Sequence, residues 1–524
     1  MFAIICAGFG MTACAQNLDV IGVTLLREVT TNLNGVGIRV AQPEAGYDSS
    51  EQYTNWEVNP GGRSSGFITY ISANGSITSF PNSLSSESSH ADSVAGNFYG
   101  IPGGVATNAA HVDNYDADYF YNDIIFPPAP ANTNDLVVNQ SFTFGNVSTN
   151  IPTPTNYLSV SDQQTIDSKY DNYAARYNTL FVSAINNGGS VSPPGTSYNC
   201  IGVGDSDGNS SIGPTLDNGR AKPDIVAPGG ETSFSTPYVA GAAAVLIQAG
   251  LRGDGGSDTN SAADMRAVKV LLLNGAVKPV GWTNISPSPL DAHYGAGVLD
   301  VFNSYKQLAR GKHGWIFSTN IPAGTLHPPV VTTNFVGVLS GWDFNTNTSS
   351  VFNDAVSHYY FNVTNGMTNA SFTATMTLVW NRQQNKTGIN NLDLFLYNAA
   401  NSNLVASSTS LVDNVEHVFV SKLPQGRYDL QVWKAGGFGI VSASETYALA
   451  WEFFSESLMT AKSGTNISVS WPVYPDGFVL QTAANLNPSA AWSANSPSPV
   501  VTNNQNVVLL NATNAVQFFR LWRP

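Results

Sequence analysis

The segment GGETSFSTPYVAGAAAVLIQAG, from Gly229 to Gly250, opens on glycines and small polar residues, turns at Pro237 and continues as Ala, Val, Leu and Ile. Ser233 therefore stands just ahead of a helix apolar enough to be buried, with Pro237 expected in its first turn, where proline is favoured. A serine hydroxyl is a poor nucleophile until a base takes its proton, and the oxyanion formed on attack needs hydrogen-bond donors. A hydrolytic role for Ser233 thus asks for a histidine, an acid to orient it and an amide donor. A plain N-cap ahead of a core helix explains the same switch from polar to apolar. Only His90 and His111 precede the serine. His90 lies in SSHADSVAGNFYG, where Ala91, Ser93, Ala95 and Gly96 allow close helix packing. His111 lies in GVATNAAHVDNYD, which reads as an ordinary strand after a loop.

Several segments carry a resemblance to one family, and they occur in family order. ETSFSTPYVAG resembles the G-T-S-M-A-T-P-H-V-A-G nucleophile motif of the subtilisin-like serine proteases. HADSVAG is similar to their H-G-T-H-V-A-G motif, and FVSAINNGG to the A-A-G-N-x-G strand end. AKPDIVAPGG matches K-P-D-I-x-A-P-G almost residue for residue. GVATNAAHV, LVVNQSFTFG and YGAGVLDV resemble three further family segments. The resemblance implies Ser233 as nucleophile, His90 as general base and Asn186 as side-chain donor of the oxyanion hole, with the Ser233 N–H beside it. It also implies that the stretch around Ser141 and Phe142 pairs with a peptide substrate as an added strand.

The chain departs from the family pattern in places. The first strand, VGIRVAQPEAG, puts Glu44 where the family has an aspartate, and Asp48 is the alternative. Pro43 before it is expected to mark an edge or a bend. Glu231 replaces a glycine two residues before the nucleophile, and Ile185 replaces the glycine before Asn186. APGGETS runs straight through a region where the family has a longer excursion. That loss opens the leaving-group side of the cleft, while a charged Glu231 could hinder the nucleophile. His90 and Asn186 speak against the sedolisin branch, which uses carboxylates in those roles.

These residues need a scaffold. From about residue 17 to 310, apolar strands such as TLFVSAINNGG and CIGVGDSD alternate with helical stretches such as AADMRAVKVLLLNGAV. That alternation predicts an α/β fold, a mostly parallel sheet with helices on both faces. Beyond GKHGW the pattern becomes SFTATMTLVW, LDLFLYNA, YDLQVWKA and YALAWEFF between Gly, Asn and Ser turns, which predicts an antiparallel β-sandwich. The expected division is a leader over 1–15, a catalytic domain over 16–312, a jelly-roll or P-domain-like sandwich over 313–457 and a small β module over 458–524. Trp471, Trp492 and Trp522 are expected in the core of that module.

Composition bounds the function. Charged residues make up 11% of the chain, well below the usual quarter, and the net charge is −14. An acidic surface speaks against nucleic acid as a partner and against docking to anionic membranes. MFAIICAGFGMTACAQ reads as a secretory leader cut after Ala15, or as a lipoprotein signal on Cys14, so the protein is expected to be secreted. No other run is long enough to predict a membrane span. Cys200 reads as a small core residue. The triad chemistry needs no cofactor. Asp393, Asp413 and Glu416 are either structural calcium ligands or exposed turn acids. DSDGN, from Asp205 to Asn209, imitates the start of a calcium loop without its closing glutamate. The resemblance implies an endopeptidase acting on protein or peptide substrates. The alternative is an inactive binding or adhesion protein on the same fold, kept open by Glu44 and Glu231.

Overall fold

The computed structural model describes residues 17–46, 55–64, 66–81, 86–149, 157–325, 330, 333, 336–364, 371–455, 458–463, 465–472, 478–485, 491–494, 497–502, 505–511 and 517–522. The expected leader with Cys6 and Cys14, and Asp48, lie outside these residues.

The α/β part is built on an eight-stranded sheet. Its strands are β1 (Arg39–Glu44), β2 (Ile68–Ile71), β3 (Ile77–Thr78), β4 (His111–Asp116), β5 (Val137–Gln140), β6 (Leu180–Ala184), β7 (Ile201–Asp205) and β8 (Ile225–Ala227). Their spatial order is β8-β7-β6-β5-β1-β4-β2-β3, and every pairing is parallel except that of β3 with β2. Every residue of β5, β6, β7 and β8 is buried. That explains their near-continuous apolar runs, because a parallel sheet covered by helices has no solvent face to alternate toward.

The longer helices of this part are α1 (Ser89–Phe98), α2 (Val160–Tyr177), α3 (Thr232–Arg252), α4 (Met265–Gly275) and α5 (Val301–Ala309). α3 touches β5, β6 and β7 as well as α1, α4 and α5, so it is buried almost all round. It is the one helix among the described residues long and apolar enough to cross a bilayer, and most of it is buried within the fold. Its Ala- and Gly-rich sequence permits this packing. A Cβ on Gly241 would stand 2.5 Å from the Cβ of Val105, so no larger residue fits there. Gly253 in the left-handed conformation (φ 88°) ends the helix.

Pro43 is neither at an edge nor at a bend, contrary to the sequence expectation. It lies in β1, which runs between β5 and β4, and it pairs in register with Tyr115. The Arg39 carbonyl accepts from Leu136 on the β5 side. By alternation, Pro43 faces that same side. Pairing with β5 has ended at Ala41, so the missing N–H breaks no ladder bond.

The following strands are β9 (Phe317–Pro322), β10 (Ser340–Thr348), β11 (Asn353–Val363), β12 (Ser371–Trp380), β13 (Leu392–Asn398), β14 (Asn403–Ser408), β15 (Val415–Pro424), β16 (Gly426–Lys434) and β17 (Ser444–Phe454). They form sheets ordered β9-β11-β16-β13-β14 and β10-β17-β12-β15, the two layers of a β-sandwich with antiparallel pairing. Buried Trp380, Tyr447 and Trp451 fill it, and Tyr359 donates to Asp343 at 2.7 Å across the layers, while buried Trp342 turns its indole N–H to the Leu308 carbonyl of α5.

Buried polar contacts join this sandwich to the α/β layer. Asn199 accepts from the Arg382 N–H at 2.8 Å and donates to the Arg382 carbonyl at 2.9 Å. Arg382 also pairs with Asp171 at 2.6 Å. The Ala221 N–H donates to Asp413 at 2.8 Å, and Asn414 donates to the Tyr198 carbonyl at 2.8 Å. Thr375 and Thr377 both donate to the Asn274 side-chain carbonyl, at 3.0 and 2.9 Å.

By compactness the chain divides into two units. The first runs to Phe361 and takes in Thr375–Val418 and Arg427–Glu452; the second holds Asn362–Ala374, Phe419–Gly426 and Phe453–Pro524. Within the second, β18 (Met459–Ser463), β19 (Asn466–Pro472), β21 (Val500–Thr502) and β22 (Gln505–Asn511) form a sheet ordered β18-β19-β22-β21. β20 (Val479–Ala483) pairs with β23 (Phe518–Trp522). Val469, Trp471, Leu480 and Val508 make its core. Trp492 stacks under Arg520 at 4.4 Å. Trp522 is 42% exposed, not in the core; it closes β23, which among the described residues pairs with β20 alone.

Candidate active site

Parallel strands deliver their carboxyl ends to one edge of the sheet, the usual place for a site in such folds. Here that edge receives Glu44 at the end of β1, Ser141 just past β5 and Asn186 just past β6.

Glu44 and His90 meet there. The Ser88 hydroxyl caps α1 by accepting from the Ala91 N–H at 3.2 Å, which places His90 in the first turn. His90 Nδ1 lies 3.2 Å from Glu44 Oε2. The carboxylate is 1% exposed and the imidazole 39%. Gln42, two residues back on the same strand face, donates to Glu44 Oε1 at 2.8 Å and to the Ala91 carbonyl at 3.0 Å. The Tyr99 hydroxyl holds Gln42 in turn at 2.7 Å. A carboxylate on Nδ1 favours the tautomer whose Nε2 is open to accept a proton. Burial alone would lower the His90 pKa. The Glu44 hydrogen bond and the charges of Glu44 and Glu231 outweigh it and hold the imidazole above its ordinary value.

Ser233 is the second residue of α3, in the turn whose backbone N–H groups have no acceptor inside the helix. Glu231 occupies the N-cap position, but its side chain makes no cap bond. Asn187 does so from the end of β6, accepting from the Thr232 N–H at 2.8 Å and from the Thr232 hydroxyl at 2.7 Å. The Ser233 hydroxyl donates to the Ser141 carbonyl at 3.2 Å. The Ser141 hydroxyl donates back to the Ser233 carbonyl at 2.8 Å and accepts from Asn139 at 3.1 Å.

Pro237 lies one turn beyond Ser233, inside α3 and not in its first turn as expected from sequence. At that position it removes the N–H that would have bonded the Ser233 carbonyl. The Ser141 hydroxyl fills that vacancy. α1 is tied to the same turn, with Asn97 donating to the Phe234 carbonyl at 3.0 Å and the His90 and Phe234 rings 5.6 Å apart.

Asn186 adopts a positive φ of 107°, which asparagine tolerates better than most side chains. Its amide nitrogen donates to Asn146 Oδ1 and reaches the Ser190 carbonyl at 3.4 Å. Glu231 is exposed, with Oε2 3.5 Å from the Asn187 amide. Phe142 is half-buried, edge-on to Phe144 at 5.7 Å.

Asp393, Asp413 and Glu416 are not exposed turn acids. Glu416 is fully buried, accepting from the Ser410 N–H at 2.6 Å and from the Ser408 hydroxyl. Asp413 accepts from Ala221 and, at 2.7 Å, from Ser410. Asp393 is half-buried, and burial pushes its carboxyl up to about 7. Among the described residues no three His, Cys, Asp or Glu side chains gather as a metal site. Cys200 is buried, and burial raises its thiol to about 12.

Gln42, Asn97, Asn146 and Asn187 went unnoticed in the sequence. Gln42 carried a usable signal, two residues from Glu44 on one strand face. Asn187 carried another, as an asparagine next to a glycine pair. Asn97 and Asn146 gave none.

A serine at a helix N-terminus, an imidazole held by a buried carboxylate and an asparagine amide on one sheet edge are the groups that general-base activation of an alcohol requires. Residues 81–297 match the model of the subtilase family, peptidase S8. No curated protein matches the sequence. The prenylagaramide maturation protease PagA is 16% identical, with TM-score 0.35, over 56% of this chain and 99% of that one. Tripeptidyl peptidase 2 is 12% identical, with TM-score 0.30, over 76% of this chain and 43% of that one. The epidermin leader peptide processing serine protease EpiP from Staphylococcus aureus is 15% identical, with TM-score 0.31, over 52% and 75%.

Proposed function

We propose that this chain, whose residues 81–297 match the subtilase family model, is a secreted serine endopeptidase working through Ser233, His90 and Glu44. The observation that supports this best is the Glu44–His90 pair, 3.2 Å apart, beside the helix turn that bears Ser233.

In the proposed reaction the Ser233 hydroxyl turns from the Ser141 carbonyl to His90 Nε2. His90 takes the proton as Oγ attacks the peptide carbonyl carbon. Asn186, swung away from Asn146, and the Ser233 N–H donate to the oxyanion. The imidazolium gives its proton to the leaving nitrogen as the C–N bond breaks. Water, deprotonated by His90, then releases the acyl group and regenerates the serine. Glu44 keeps the imidazole in the right tautomer and offsets its positive charge. The substrate backbone lies beside Ser141 and Phe142 as an added strand. Secretion rests on the leader-like MFAIICAGFGMTACAQ.

The test is covalent labelling by a fluorophosphonate probe, with Ser233→Ala and His90→Ala beside the wild type. Labelling lost in both variants supports the reading. A folded wild-type protein that takes no label across the neutral and alkaline range overturns it. That outcome favours the inactive binding protein, whose particular support is the Ser233 hydroxyl facing Ser141 and not His90.

A further inference from the structure

The loop before the nucleophile is short, and two side chains hold it from outside. Asp207, in the DSDGN turn after β7, accepts from the N–H of Gly229 at 3.1 Å and of Gly230 at 3.2 Å. The same turn is pressed onto the loop. The Asn209 N–H donates to the Gly230 carbonyl at 3.2 Å, and a Cβ on Gly208 would stand 2.2 Å from that oxygen. Gly230 itself has a φ of 81°, open to glycine. Two residues further, Asn187 takes both the N–H and the hydroxyl of Thr232. From Gly229 to Thr232, every position but Glu231 is thus fixed by a side chain from the end of β6 or β7.

We infer that Asp207 and Asn187 are positioning residues for Ser233: they clamp the chain from Gly229 to Thr232 and so set where the serine Oγ stands. The inference rests on Ser233 being the nucleophile. The physical reason is the loop's composition. Gly229 and Gly230 have no side chains to pack, Glu231 makes no cap bond, and a displaced nucleophile loses rate steeply. The DSDGN turn therefore has a role other than the calcium loop its sequence imitates. Its Asp207 carboxylate points to backbone donors of the nucleophile loop.

The experiment is fluorophosphonate labelling of the full chain over a range of probe concentrations, which separates the rate at which Ser233 Oγ displaces fluoride from phosphorus at saturation from probe affinity. Asp207→Ala and Asn187→Ala are expected to take the label about 10- to 100-fold more slowly at saturation, with probe affinity little changed. Asn187→Asp and Asp207→Asn, which keep an acceptor oxygen in place, are expected to stay close to wild type. Equal rates in the alanine variants and wild type overturn the inference. So does a loss in the conservative variants as large as in the alanines. Should an alanine variant not fold, Thr232→Val decides. It deletes one of the two bonds to Asn187 at nearly constant volume, and an unchanged labelling rate there overturns the clamp. A wild-type protein that takes no label refutes the serine peptidase reading instead.

Discussion

The Ser141 hydroxyl donates to the Ser233 carbonyl at 2.8 Å, in the position that Pro237 leaves without a helical N–H. Ser141→Ala therefore leaves that carbonyl without a donor at a part-buried site. A loss of about 1–3 kcal/mol in urea unfolding is expected, together with slower acylation of Ser233. A stability within about 0.5 kcal/mol of wild type would show that water or a shift of α3 replaces the bond.

Glu231 favours the charged form of His90, and the base must be neutral to act. Activity should therefore fall as pH drops through a His90 pKa held above its ordinary value. Glu231→Gln removes a negative charge, lowers that pKa and moves the acid limb of the kcat/KM profile to lower pH. An acid limb that stays in place or moves up would place Glu231 out of electrical reach of the imidazole.

Glu44→Gln keeps the size of the side chain and reverses its hydrogen-bonding. With Glu44 orienting His90, kcat/KM on a peptide substrate should fall about 10⁴-fold, as for a triad acid replaced by its amide. A drop of less than about tenfold, with a large one in Asp48→Asn, would transfer the role to Asp48.

Asn186→Ala should reduce kcat about 10²- to 10³-fold with little change in KM. Asn146→Ala should act the other way. It frees the Asn186 amide from its acceptor, and a rise in acylation rate of about 2- to 10-fold is expected from the hydrogen bond no longer broken. A fall in that rate would make Asn146 a support of the active geometry.

Asp413→Ala leaves the Ala221 N–H without its acceptor and opens a gap against the KPD strand. About 1–3 kcal/mol of stability should be lost, measured by denaturant unfolding with the slope unchanged. An unaltered midpoint would mean that the carboxyl, raised by burial, contributes nothing net there.

The fold was legible where periodicity alone decides it. The apolar runs of β6 and β7 and the alternating strands after residue 313 read correctly as a covered parallel sheet and a sandwich. Local propensity puts Pro43 at an edge because it carries no account of where pairing with one neighbour has ended. Pro237 was placed a turn early because the cap comes from Asn187, far in sequence, and not from the chain before it. Glu44 and His90 were found as a pair, whereas the side chains that hold them and Ser233 in place depend on tertiary contacts. Trp522 reads as core because composition does not say which side chains of a short strand find a covering layer.

The exchange between Asn199 and Arg382, one side chain reading both the donor and the acceptor of a distant backbone, has a consequence for modularity. A cut at the texture change near residue 312 would look clean on paper. It would strip Asn199, Asn274 and the Ala221 N–H of partners supplied by the sandwich, and bare the underside of the strand that leads into the nucleophile loop. The sandwich is thus no cargo that could be exchanged for another. A protein engineer shortening this chain to its chemistry would have to rewrite the α/β surface as well, polar group by polar group.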